Sequence, residues 1–188
     1  MMRLFLGVFP PVEVVARVAD LCRELQRLPG MAPGRGGPRW VSTEKLHVTL
    51  AFLGQQDEAL VSQLVEQLGP VLAGLPEFDA RLEGLGGFPK PQRARVLWVG
   101  LDQGRSEFEH LAASVFEGLG QLGLTIEDGR FHPHLTLARA GNRPLRVPQV
   151  TVPDPLTFRV RELAIVESEL TPQTSRYRVR ATLSLRGR

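Results

Sequence analysis

The chain is short of cysteine, of lysine and of long apolar runs. Its single cysteine, Cys22, excludes an internal disulfide framework and a cysteine-rich metal site. No stretch approaches the ~20 consecutive apolar residues of a membrane-spanning helix. The opening MMRLFLGVFPP is too short for the hydrophobic segment of a secretory leader and ends at Pro10 and Pro11. A reducing, cytoplasmic setting without membrane contact is therefore expected. The glycine-rich MAPGRGGPR at 31–39 lacks the Gly-Lys-Ser/Thr ending of a nucleotide phosphate loop. It reads as a surface loop, with contact of Arg35 and Arg39 to a substrate backbone as the alternative.

Lysine occurs only at Lys45 and Lys90, so nearly all positive charge is guanidinium. The net charge is +3, and the segment from Arg139 to Arg188 sets ten arginines against Asp154, Glu162, Glu167 and Glu169. A polyanionic substrate suits this balance, because guanidinium forks match phosphate oxygens. A general preference for arginine explains it equally well, so charge alone decides nothing. Apolar residues make up 43% of 188 positions, enough to pack one domain or two small lobes around a shared core.

Periodicity predicts a mixed α and β order. Residues 3–9 read as a buried strand, and 12–28 as a helix with its stripe at 14, 15, 18, 21, 22, 25 and 28. Cys22 falls on that stripe as core filler. Strands are expected near 46–53, 77–85, 94–100, 131–139, 157–167 and 176–185, with helices over 58–74 and from Ser106 onward. Ser106 and Glu109 form a capping-box pattern at the start of the last helix.

HVTLA at 47–51 returns as HLTLA at 134–138. On a regular strand His47, Thr49 and Ala51 share one face, as do His134, Thr136 and Ala138, while the alternate residues anchor the strand in the core. Two such strands can bring two imidazoles and two hydroxyls to one cleft. Near neutral pH one imidazole can take a proton from water and the other can give one to a departing alkoxide. The threonine hydroxyls can hold non-bridging phosphate oxygens. A single His-x-Thr is weak; two copies in matching halves point to function.

Paired His-x-Thr motifs of this kind resemble those of the 2H phosphoesterases. The stretches RLFLGVFPP, RWVSTEKLHVTLAFLG, GGFPKPQRARVLWVGL, FHPHLTLARA and ESELTPQTSRYRV resemble the RNA 2',3'-cyclic phosphodiesterases, also called 2'-5' RNA ligases. The resemblance covers nearly the whole chain. It implies an α+β fold of two similar lobes, each an antiparallel sheet with helices on its outer face, forming one bilobal domain over 1–188 with the cleft between the sheets. It implies hydrolysis of a 2',3'-cyclic phosphate to a 2'-phosphomonoester, with His47 as proton donor and His134 as proton acceptor. It implies phosphate contacts from Thr49, Thr136 and Arg139. No metal and no cofactor is called for. RNA or a nucleotide bearing the cyclic phosphate is the expected partner, and the protein is expected to be a monomer.

Strict alternation places Arg139 opposite His134, so its role requires a bulge or a strong twist. Phe52 holds the same place in the first copy, as a base-stacking residue or as core. Trp40 reads either way, Trp98 as core. The family's glycine before the late tyrosine is replaced by Thr174-Ser175-Arg176, and no binding role is assigned to that tail. His132 shares the face of His134 and is expected to support it; His110 reads as surface. Two other functions remain open: 2'-5' ligation as the main direction, and a binding module without turnover.

Overall fold

In the computed structural model, residues 1–126, 131–152, 156–170 and 175–187 are described. Asp154, Thr174 and Arg188 lie outside these residues, as does the centre of ESELTPQTSRYRV. The order is β1 (Met2–Val8), α1 (Val12–Gln26), β2 (Arg39–Trp40), β3 (Val48–Gln56), α2 (Ala59–Gly74), β4 (Phe78–Phe88), β5 (Val96–Gln103), α3 (Arg105–Gln121), β6 (Leu135–Arg139), β7 (Thr157–Val160), β8 (Glu162–Leu170) and β9 (Ser175–Ser184).

The helices bury the stripes their sequences write. Val14, Val18, Leu21, Cys22 and Leu25 of α1 face the core, as do Leu60, Leu64, Leu68 and Leu72 of α2. Burial pushes the Cys22 thiol up to about 12, which keeps it protonated and inert. α2 meets α3 closely because Gly118 has no side chain: a Cβ there would lie 2.4 Å from Leu68 Cδ2. The capping box does not form. α3 begins one residue earlier, after Gly104 at φ 80°, and the Ser106 hydroxyl donates to Glu107 instead.

The strands form one antiparallel sheet in the order β7-β4-β5-β6-β3-β1-β8-β9, with β2 paired to β6. The stretch expected as one strand at 157–167 is two. Its break at Arg161 lets β7 pair with β4 at one end of the sheet while β8 pairs with β1 toward the other. At the centre, β3 and β6 touch through a single residue pair, Val48 with Leu135. Four strands of that order lie to each side of the junction. A single buried cluster joins apolar residues of all three helices and both halves of the sheet. Among the described residues no helix is long and apolar enough to cross a membrane.

Candidate active site

The junction of β3 and β6 lies between the two copies of the repeated phrase. Val48 and Leu135 are both fully buried, so the residues flanking them point to the opposite face of the sheet. Antiparallel pairing relates the two copies by a local twofold axis. One step from the pair on either side, His47 stands beside Thr136 and Thr49 beside His134, at the ~5 Å spacing of cross-strand neighbours. Both histidines precede their strands by one residue, where the sequence reading placed them inside. Past the junction the strands diverge, because each extends away from the other.

Both strands then break alternation at the same letter. Along β3, Leu6 pairs with Ala51 and Gly7 with Thr49, which leaves Leu50 unpaired. Along β6, Leu97 pairs with Ala138 and Trp98 with Thr136, which leaves Leu137 unpaired. These are β-bulges, and they bury the Leu and the Ala of each copy side by side. The alanines therefore do not share the histidine face, as regular alternation had it. The residue after each alanine returns to that face: Phe52 in one copy and Arg139 in the other. Both line a cavity of about 680 Å³ together with His47, Thr49 and Thr136. Phe52 is 61% exposed, so it is not a core residue.

The hydrogen bonds repeat as well. His47 Nδ1 donates to the Lys45 carbonyl at 2.6 Å, and His134 Nδ1 donates to the His132 carbonyl at 2.6 Å. Each bond fixes the tautomer, so that Nε2 is the nitrogen available for chemistry. His47 Nε2 lies 2.8 Å from Thr49 Oγ1. Burial is the largest influence on both rings and pushes both below the ordinary histidine value, partly offset by the carbonyl bonds. The charges of His134 and Arg139 lower His47 further, and those of His132 and Arg139 lower His134.

Each imidazole has its own aromatic surround. His47 packs against Phe5 at 4.7 Å, Phe9 at 5.3 Å and Tyr177 at 5.6 Å between ring centroids. His134 packs against Phe88 at 5.1 Å and Trp98 at 5.8 Å. Trp98 thus packs on His134 and lies outside the buried core cluster. It lies over Gly86, where a Cβ would come within 2.0 Å of the indole. The cavity wall carries Thr136 and Arg139 from the second copy but not His134 itself. His132 supports His134 through its backbone, while its ring takes a 2.8 Å contact from Arg105.

Several wall residues escaped the sequence reading. Tyr177 and Ser175 of β9, Ser168 of β8 and Arg3 of β1 line the cavity beside His47. The tail therefore does reach the site. Its only signal was a lone tyrosine on an arginine-alternating strand, which reads as an ordinary edge. Trp40 also lines the cavity and is pinned by its indole N–H to the Met31 carbonyl at 3.0 Å. Among the described residues the wall holds Arg3, Arg39, Lys45 and Arg139 and no carboxylate. Among the described residues no group of three or more histidine, cysteine or carboxylate side chains is arranged to hold a metal ion.

Two His-x-Thr strand ends meet beside one cation-lined cavity, in a fold of the 2H phosphoesterase class. The chain belongs to the 2'-5' RNA ligase superfamily, whose sequence model matches residues 10–172. It is 37% identical over 192 residues to an RNA 2',3'-cyclic phosphodiesterase of Thermus thermophilus, a match covering 99% of this chain and 91% of the relative. It is 38% identical over 99 residues to a protein of the same name from Aeropyrum pernix, where the match spans 53% of this chain and 55% of the relative. The crystal structure of TT0787 from Thermus thermophilus superposes with a TM-score of 0.83 at 32% identity, covering 99% of both chains.

Proposed function

We propose that this protein hydrolyses 2',3'-cyclic phosphate ends of RNA to 2'-phosphomonoesters, with the two halves of its sheet acting as two lobes of one domain. The observation that carries this reading is the convergence of both His-x-Thr-Leu-Ala copies at the Val48–Leu135 pair, with matching bulges that turn Phe52 and Arg139 toward the cavity. The cyclic phosphate sits between the two threonine hydroxyls and the Arg139 guanidinium, which hold the charge of its non-bridging oxygens. His134 Nε2 takes a proton from water as the water oxygen bonds to phosphorus. The bond from phosphorus to the 3'-oxygen breaks, and His47 Nε2–H gives its proton to that oxygen. One water is added and both histidines exchange protonation states, to be reset by solvent. Positive charge at the phosphate is supplied by guanidinium, so the step is written without a metal. Phe52 offers an exposed ring face on which the terminal base can stack.

Microscopic reversibility allows the same acid and base to join a cyclic phosphate to a 5'-hydroxyl, but water outcompetes an RNA end and hydrolysis dominates. The test is incubation in EDTA with a short RNA ending in 2',3'-cyclic phosphate, followed by identification of the hydroxyl that keeps the phosphate. A 2'-monophosphate formed at an undiminished rate is expected. A 3'-monophosphate, or activity that returns only on adding a divalent ion, overturns the mechanism. Absence of any turnover overturns the enzymatic reading in favour of a binding module.

A further inference from the structure

Several arginines of this chain are held by carboxylates. Arg81 pairs with Asp102, Arg105 with Glu109, Arg159 with Glu77 and Asp79, and Arg180 with Glu58 and Glu167. Three other segments, 31–41, 90–96 and 139–147, hold eight cations and no carboxylate. Among the described residues none of their seven arginines makes an ion pair within 4.0 Å, and all seven are exposed. The rest of the molecule carries fifteen cations against twenty carboxylates, so its charge is divided in space as well as in sequence.

The fold stitches these three segments together. Arg139 pairs with Arg39 on one side and Val96 on the other. Ala140 N–H donates to the Arg95 carbonyl at 2.8 Å, and Asn142 N–H to the Gly36 carbonyl at 3.0 Å. Ala94 bridges antiparallel to Leu145, which brings Arg93 beside Arg146. The close approach is built in: a Cβ at Gly141 would fall 2.2 Å from the Gly37 carbonyl oxygen. The cation-rich surface begins at Arg39 and Arg139 in the cavity wall and continues outward through Arg93, Arg143 and Arg146. Holding like charges together without counter-charges costs stability, and a bound polyanion repays that cost.

We infer that this surface is a track for the single-stranded RNA backbone leading to the cyclic phosphate, so that the enzyme prefers an RNA chain over a cyclic mononucleotide. The inference rests on the functional reading above and adds a second, remote contact to it. Guanidinium groups at successive positions along the track take the phosphates of nucleotides preceding the reacting end, and each contact releases condensed counterions.

The test compares two substrates, 2',3'-cyclic AMP and a six-nucleotide RNA ending in 2',3'-cyclic phosphate, across a salt series. The triple variant Arg93→Ala, Arg143→Ala, Arg146→Ala removes track residues outside the cavity wall. A second triple variant, Arg17→Ala, Arg23→Ala, Arg27→Ala, removes the same charge from α1 and its C-terminal end. The unaltered protein is expected to favour the hexamer, with kcat/KM falling steeply as salt rises. The track variant is expected to lose about tenfold or more on the hexamer and to flatten its log–log salt slope by about 2. Its rate on cyclic AMP stays unchanged, which also reports that it is folded. The α1 variant leaves both substrates unaffected. Equal losses on both substrates in the track variant, equal losses in both triple variants, or no preference for the hexamer each overturn the track while leaving the hydrolytic reading intact. Failure of the unaltered protein to open either substrate overturns the functional reading and the track with it.

Discussion

An imidazole whose Nδ1–H is committed to a backbone carbonyl has one nitrogen left, and both site histidines are held this way. Burial then decides their charge. Both rings are pushed below the usual histidine value, so the free protein at neutral pH holds both largely neutral. The proposed mechanism needs His47 protonated and His134 neutral. Activity therefore falls on the acid side as His134 gains a proton and on the alkaline side as His47 loses one. With both values depressed, the optimum of kcat/KM lies below ~6.5, and the two apparent values belong to the coupled pair. Bound phosphate favours the protonated His47, so the alkaline limb of kcat moves to higher pH. A kcat/KM that still climbs between pH 7 and 8 contradicts this assignment. Phe52 is a cleaner probe of binding, because an exposed ring can be truncated at little cost to stability. Phe52→Ala is expected to raise KM by about tenfold, in line with base stacking worth ~1–3 kcal/mol, and to leave the melting temperature within a degree or two. A large fall in melting temperature would instead make Phe52 a structural residue.

At the scale of the strand, the fifth letter after each histidine matters most and was hardest to read. Regular alternation puts Phe52 and Arg139 on the wrong face. The bulges at Leu50 and Leu137 correct both, yet nothing about a leucine announces a bulge in sequence. The clue was the repetition itself, since the burial order of Val48 to Phe52 is the same as that of Leu135 to Arg139. Helix stripes were legible because their period is simple: Leu60, Leu64, Leu68 and Leu72 read directly. Trp98 reads as core because a tryptophan on an apolar strand gives no hint of the histidines packed on it. Its seat depends on a missing side chain, and Gly86→Ala tests this. The new methyl group collides with the indole and must displace it from His134. A stability loss of ~1–3 kcal/mol by denaturant unfolding is expected from overpacking, together with a fall in kcat. Unchanged kcat with Trp98 displaced would remove that ring from the mechanism.

Across the whole molecule, the repeat predicted the gross plan, two halves that each deliver a histidine and a threonine. It did not predict that β3 and β6 would meet through a single ladder pair, or that β9 would reach back to wall the cavity with Tyr177 and Ser175. Those contacts span most of the chain and leave no local pattern. Charge was legible as a total and as a basic C-terminal third, but the carboxylate-free grouping of 31–41, 90–96 and 139–147 emerges only when the fold brings those segments together. On the proposed mechanism each half of the molecule handles one proton. The most direct measurement is therefore the pH dependence of kcat/KM for the unaltered protein and for His47→Ala and His134→Ala, on an RNA 2',3'-cyclic phosphate. Each variant is expected to lose ~10²–10⁴-fold in rate while still binding product. The bell should lose its alkaline limb in His47→Ala and its acid limb in His134→Ala. Persistence of both limbs in either variant, or near-normal rates, would contradict the claim that these two imidazoles act as acid and base on a common phosphorus.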